Sequence, residues 1–209
     1  MKLIVATDIF GETPELVAWL TPLVQAADLT LELVSPYKAQ FTDIAVATAR
    51  LTALPPARAA DELAYQRFLQ QGGMDAYVKK LQHSLQTQQE PFIAIGFSAG
   101  AAALWQLTAQ PLPWLTQAWC FYGGQIRHCN ELQPLVRTTC IWAQETHFNV
   151  EQLHDQLAQR ALVQSYLTSY QHGFINPHSA GFNSEAASYY QLWLMEHLSN
   201  GRQSQLLTN

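Results

Sequence analysis

Apolar residues in this chain fall in short runs separated by segments of helical periodicity. Six runs read as strands: Lys2–Ala6, Leu29–Val34, Phe92–Gly96, Gln117–Tyr122, Thr138–Ala143 and Leu162–Leu167. Most lack the apolar–polar alternation of a half-exposed strand, so their sheet is expected to be covered on both faces. Between them, helices are expected over Pro14–Ala27, Ala60–Gln71, Met74–Gln88, Ala99–Ala109, Val150–Arg160 and Ser184–Leu198. The first carries a full start signal, with Thr13 to cap it, Pro14 in the first helical position and Glu15 at the positive end. Pro22 is expected to kink or shorten it. Gly72-Gly73 separates the second and third. In the last, Tyr189, Leu192, Trp193 and Leu198 are expected to form one inward face. Strand alternating with helix predicts an α/β fold, a doubly wound, mainly parallel sheet of about six strands, whose reacting groups gather at the carboxyl ends of the strands. Three segments lie there: Thr7–Thr13, the turn at Ser98, and a long loop over Ser169–Asn183.

The composition narrows the partners. The chain has 209 residues, 48% of them apolar, which suits one globular domain, read here as residues 1–200 with a polar, disordered tail at 201–209. The net charge of −5 comes without any basic block, so neither nucleic acid nor a membrane surface is an expected partner. Three cysteines cannot all pair; Cys120 and Cys140 lie inside apolar runs and read as buried thiols, and a cytoplasmic location is expected. No HExxH or comparable ligand spacing is present, so no metal and no cofactor are expected.

The chemistry concentrates at Gly96-Phe97-Ser98-Ala99-Gly100. An apolar strand leads into this segment and an Ala-rich helix leaves it, the context of a nucleophile elbow, in which small flanking residues permit a sharp turn and expose the hydroxyl. A serine hydroxyl needs a base within hydrogen-bond reach. His172 suits this role: it follows the last strand, and Gly173 lets the loop turn inward. Of the other histidines, His83, His154 and His197 are expected to be solvated on helices, while His128 and His178 lie in loops, where His178 could line the site. His147 neighbours the expected acid position. An acyl-transfer intermediate needs two donors for its oxyanion. The N–H of Ala99 is one candidate, and that of Ile9, in the loop after the first strand, is the second.

Five segments together resemble the dienelactone hydrolase family of α/β-hydrolases. Asp8-Ile9-Phe10-Gly11 is similar to its oxyanion loop, Ser35-Pro36-Tyr37 to the end of its next strand, Gly96–Gly100 to its elbow, Phe121-Tyr122-Gly123 to its Tyr-Tyr-Gly segment, and Gln171-His172-Gly173-Phe174 to its His-Gly-Phe segment. Residues 44–72 match poorly and read as a lid-like insertion. The resemblance implies a truncated α/β-hydrolase fold lacking the first two edge strands, with strand order 2-1-3-4-5-6. Asp8, Phe10, Tyr122 and Thr146 become pocket candidates.

Three departures from the family pattern carry consequences. Ser98 stands where the dienelactone-cleaving members use cysteine. The ungapped match puts Thr146 where the family has its aspartate; Glu145, one residue earlier, is the candidate acid, with Thr146 as a hydrogen-bonding substitute and Glu185 a further one. The arginine expected after the catalytic histidine is replaced by Asn176, and nothing in the sequence places Arg58 or Arg127 at the site. The expectation is therefore a serine hydrolase that cleaves a small carboxylic ester or related acyl substrate through an acyl-Ser98 intermediate. The competing reading is a catalytically impaired homologue that binds small molecules, because Thr146 occupies the aspartate position. The sequence leaves the substrate and the oligomeric state open.

Overall fold

The computed structural model describes residues 1–37 and 56–206. Six parallel strands form one sheet in the order β2-β1-β3-β4-β5-β6, the expected order. They are β1 (Lys2–Ala6), β2 (Thr30–Val34), β3 (Phe92–Phe97), β4 (Leu115–Phe121), β5 (Thr138–Gln144) and β6 (Val163–Gln171). The helices among the described residues are α1 (Pro14–Ala26), α2 (Pro56–Gln70), α3 (Gly73–Gln86), α4 (Ala99–Thr108), α5 (Val150–Ala158) and α6 (Ser184–Leu206), with a 3₁₀ turn over Gly124–His128.

Residues on alternate faces of each strand enter two separate cores. Ile4, Phe92, Ala94 and Cys120 pack with Leu81 and Leu85 of α3, the alanines of α4 and Leu153 and Leu157 of α5. Leu3, Val5, Ile93, Ile95 and Phe121 pack with Leu20 and Leu23 of α1 and Tyr190, Leu194 and Leu198 of α6. Both faces are thus apolar, which is why the strands read as continuous runs. Cys120 and Cys140 are buried free thiols facing each other in the β4–β5 register.

Several expectations need correction. α1 runs through Pro22 to Ala26 without a break. Proline removes a single hydrogen bond, and the Thr13 cap, which accepts from Leu16 N–H at 3.2 Å, holds the helix start. The buried face of α6 is Ala186, Ala187, Tyr190, Leu194 and Leu198, whereas Tyr189 and Leu192 are exposed. A repeat of four residues sets that phase and turns Leu192 outward. α6 also continues to Leu206, well into the segment expected to be a disordered tail; residues 207–209 lie outside the described residues. Of the lid-like insertion expected over residues 44–72, the part up to residue 55 lies outside the described residues, and the rest is α2 and its terminal turn. Strand β6 runs four residues further than expected, so the long loop begins at His172. His154 bonds to Ser165 Oγ at 2.8 Å from a half-buried position instead of lying free in solvent. No helix among the described residues is long and apolar enough to cross a membrane.

Candidate active site

Strand β3 ends at a residue that leaves ordinary backbone space. Ser98 has φ +51° and ψ −111°, a conformation that costs on the order of 1–3 kcal/mol for a residue with a side chain. The surroundings fix it there. Ser98 N–H donates to Phe121 O at 3.0 Å, and Ser98 O accepts the first bond of α4 from Ala102 N–H at 3.1 Å. Gly100 permits the approach of α4 to the sheet, because a Cβ at this position would run into the carbonyls of Ala6 and Thr7. The result is a hydroxyl held above the carboxyl end of the sheet.

Two neighbouring strands deliver its partners. Strands β5 and β6 pair as Trp142↔Leu167 and then Gln144↔Gln171, so β6 carries two extra residues over that interval. The irregularity brings the next residues of each chain segment, Glu145 and His172, to adjacent strand ends. Ser98 Oγ lies 2.8 Å from His172 Nε2, and His172 Nδ1 lies 2.6 Å from Glu145 Oε1. An ionised carboxylate only accepts, so the imidazole carries its proton on Nδ1 and leaves Nε2 to accept from the Ser98 hydroxyl. The Glu145 side chain is 12% exposed and that of His172 40%. Of the three acid candidates, Glu145 is the one in contact with the imidazole; Thr146 lines the adjoining cavity, and Glu185 sits at the start of α6 outside the cavity lining. Tyr122, buried and with φ +41°, presents its ring edge-on to His172 with the centroids 5.3 Å apart.

The loop after β1 forms the opposite wall. Neither the Ile9 nor the Ala99 N–H is taken up by another group among the described residues. Asp8 is buried; its Oδ1 accepts from Phe10 N–H at 2.9 Å and its Oδ2 from Asn176 Nδ2 at 2.6 Å. Burial pushes the Asp8 carboxyl above the usual aspartate range, against the opposing effect of those two bonds. Asn176, read from the sequence only as a missing arginine, therefore ties the histidine loop to the loop after β1.

These elements surround a cavity of about 860 Å³ that reaches Ser98, His172, Glu145, Asp8 and Phe10. Helix α2 contributes Arg58, Asp61, Tyr65 and Leu69, and the 3₁₀ turn contributes Arg127. Both arginines that the sequence could not place are thus on the cavity wall. Arg127 donates to Gly124 O at 2.6 Å and lies over the Phe148 ring at 4.9 Å. Asp61 accepts from Ala180 N–H at 3.2 Å, and burial raises its carboxyl above the ordinary range. His147 lines the cavity, whereas His178 turns away from it, bonding Glu15 at 2.9 Å and stacking on Phe10. A carboxylate neighbour on α1 outcompetes the cavity for that imidazole. No cluster of three or more His, Cys, Asp or Glu side chains able to hold a metal ion occurs among the described residues.

Comparison with known proteins follows the same lines. The sequence profile of the dienelactone hydrolase family matches residues 39–198. No curated protein matches the sequence. Among solved structures, the dienelactone hydrolase-like promiscuous phosphotriesterase P91 from metagenomic libraries superposes with a TM-score of 0.58 at 16% identity, over 95% of this chain and 85% of that one. A dienelactone hydrolase from Anabaena variabilis gives 0.51 at 16% identity, over 94% and 86%. Mouse alpha/beta hydrolase domain-containing protein 10 gives 0.61 at 7% identity, over 95% and 89%. Identities this low establish a shared fold and nothing finer.

Proposed function

The chain belongs to the dienelactone hydrolase family, and from that premise and the geometry of its cavity we propose that it is a serine hydrolase cleaving a small carboxylic ester or related acyl substrate. One observation carries this reading: the unbroken run of contacts from Ser98 Oγ through the His172 imidazole to the Glu145 carboxylate. A binding protein on the same scaffold has no need of a carboxylate on Nδ1, so the contact favours the enzyme.

In the proposed cycle Ser98 Oγ attacks the substrate carbonyl while its proton passes to His172 Nε2. The N–H groups of Ile9 and Ala99 stabilise the resulting oxyanion. The tetrahedral intermediate collapses by breaking the bond to the alkoxy leaving group, which takes the proton from Nε2. Water then attacks the acyl-Ser98 carbonyl, gives its proton to Nε2, and a second collapse frees the carboxylic acid and returns the proton to Ser98. Glu145 holds the imidazole in the tautomer this sequence requires and offsets the positive charge of the imidazolium.

The test is treatment of the purified protein with a fluorophosphonate, followed by intact mass and peptide mapping. Single labelling at Ser98 that His172→Ala suppresses is the expected result. Inertness under conditions that label a control esterase would overturn the reading.

A further inference from the structure

Two buried tyrosines meet the loop that carries Ile9, and the proposed hydrolysis gives no role to either. Tyr77 of α3 shares its one hydroxyl proton between Thr7 O at 2.8 Å and Val34 O at 2.7 Å. Tyr37, just past β2, donates to Ile9 O and lies 3.3 Å from Ala64 O of α2. Tyr77 is 1% exposed and Tyr37 4%.

Their carbonyl partners alternate along the loop, and that alternation matters. Between Thr7 and Phe10 the backbone contains three peptide planes. The first is anchored at Thr7 O by Tyr77. The third is anchored at both ends, Ile9 O by Tyr37 and Phe10 N–H by Asp8 Oδ1. In the middle plane Asp8 O accepts from Gly11 N–H and from Thr7 Oγ1, each at 3.1 Å. A trans peptide points its N–H opposite to its C=O. Pinning Asp8 O therefore aims Ile9 N–H the other way and leaves it without an acceptor among the described residues, while the outer planes hold the middle one against rotation.

Tyr37 is itself held on every side. Its backbone N–H donates to Ser35 Oγ at 3.2 Å, its carbonyl accepts from Lys80 Nζ at 2.5 Å, and the Arg67 guanidinium lies 4.0 Å over its ring. Gly11, at φ +79°, makes room for that ring, since a Cβ there would come within 2.9 Å of Tyr37 Cδ2. Burial pushes the Tyr37 phenol up to about 12, so it remains a proton donor at any physiological pH.

Resting on the proposed hydrolase reading, we propose that Tyr37 and Tyr77 are positioning residues of the oxyanion site, holding the carbonyls on either side of the Asp8–Ile9 peptide so that Ile9 N–H meets the developing negative charge. Tyr37 also links that site to α2, the helix that walls the cavity, through Ala64 O.

Tyr37→Phe keeps the ring beneath Arg67 and against Gly11 and removes only the hydroxyl. Losing a direct oxyanion donor costs roughly 10²–10³ in turnover, so loosening one indirectly is expected to lower kcat about tenfold. KM for p-nitrophenyl acetate should stay close to wild type. Phenylboronic acid, which forms a tetrahedral anion on an activated serine, should bind about tenfold more weakly. A purely structural role would not divide the effect in this way, with kcat and boronate affinity falling while KM and Tm hold. Should Tyr37→Phe fail to fold, Tyr77→Phe takes its place with the same readouts. An active wild type matched by the variant in kcat and boronate affinity, or a loss confined to KM, would overturn this inference alone. A wild type that neither turns over ester nor reacts with fluorophosphonate would overturn the hydrolase reading and this inference with it.

Discussion

Replacing Glu145 by glutamine removes one charge from the relay and keeps the length of the side chain. The carboxylate oxygen lies 2.6 Å from His172 Nδ1, so on proton transfer the two charge centres stand about 4 Å apart and attract by ~4 kcal/mol at an effective dielectric constant near 20. Glu145 is shielded and His172 half open to water, at 12% and 40% exposure. Solvent therefore competes for the imidazolium from one side, and ~4 kcal/mol is an upper bound. At about 1.4 kcal/mol per decade, Glu145→Gln should cost up to ~10³-fold in kcat/KM. That is less than the roughly 10⁴-fold lost from a triad with a buried acid. The assay is steady-state hydrolysis of p-nitrophenyl acetate at mildly alkaline pH, with Tm measured in parallel to exclude unfolding. Glu145→Asp, which draws the carboxylate back by one methylene, should fall between the two. A Glu145→Gln protein within a few-fold of wild type would refute the reasoning, because the carboxylate would then contribute nothing to the charged imidazole.

Two further predictions concern the fold that carries the site. Gly100→Ala drives a methyl into the Ala6 and Thr7 carbonyls, and a loss of more than about 3 kcal/mol is expected in chemical denaturation; an unchanged midpoint would contradict the close approach of α4 to β1. Glu32, on the edge strand β2, accepts from Lys2 Nζ at 2.8 Å and Ser84 Oγ at 2.5 Å. Burial tends to raise its carboxyl, but these bonds and one from Gln88 outweigh burial and hold it below the ordinary 4.5. A carboxyl lowered by folding stabilises the protein above its unfolded pKa and loses that contribution as pH falls through the folded value. Wild type should therefore exceed Glu32→Gln by about 0.5–1 kcal/mol at neutral pH, discounted for partial exposure, and match it in acid; a difference that persists in acid would refute the assignment.

Local signals in the chain reached some of this architecture and stopped short of the rest. Strand β1 is bounded as its apolar run suggests, and the Thr13-Pro14 start of α1 is where capping chemistry puts it. Ser98 and His172 stand out in the sequence because an elbow and a histidine after the last strand are local features, and the structure places the two side chains 2.8 Å apart. The sequence favours Glu145 over Thr146 only as the nearer carboxylate; its contact with His172 depends on how β5 and β6 slip past each other, a register formed between segments far apart in the chain. Tyr77 left no local trace at all: its hydroxyl acts on Thr7, which only the folded sheet brings near. The phase of α6 is not legible locally because Leu192 is apolar yet faces solvent, and hydropathy alone does not say which of two adjacent stripes meets the sheet.

On the proposed hydrolase reading, the reach of Glu145 changes what counts as an intact relay. A column-by-column inventory would find threonine at position 146 and strike this chain from a roll of hydrolases. Yet a side chain that starts one residue earlier and is one methylene longer arrives at the same nitrogen. The acid of such a relay is thus better defined by where its oxygen ends than by where its Cα begins.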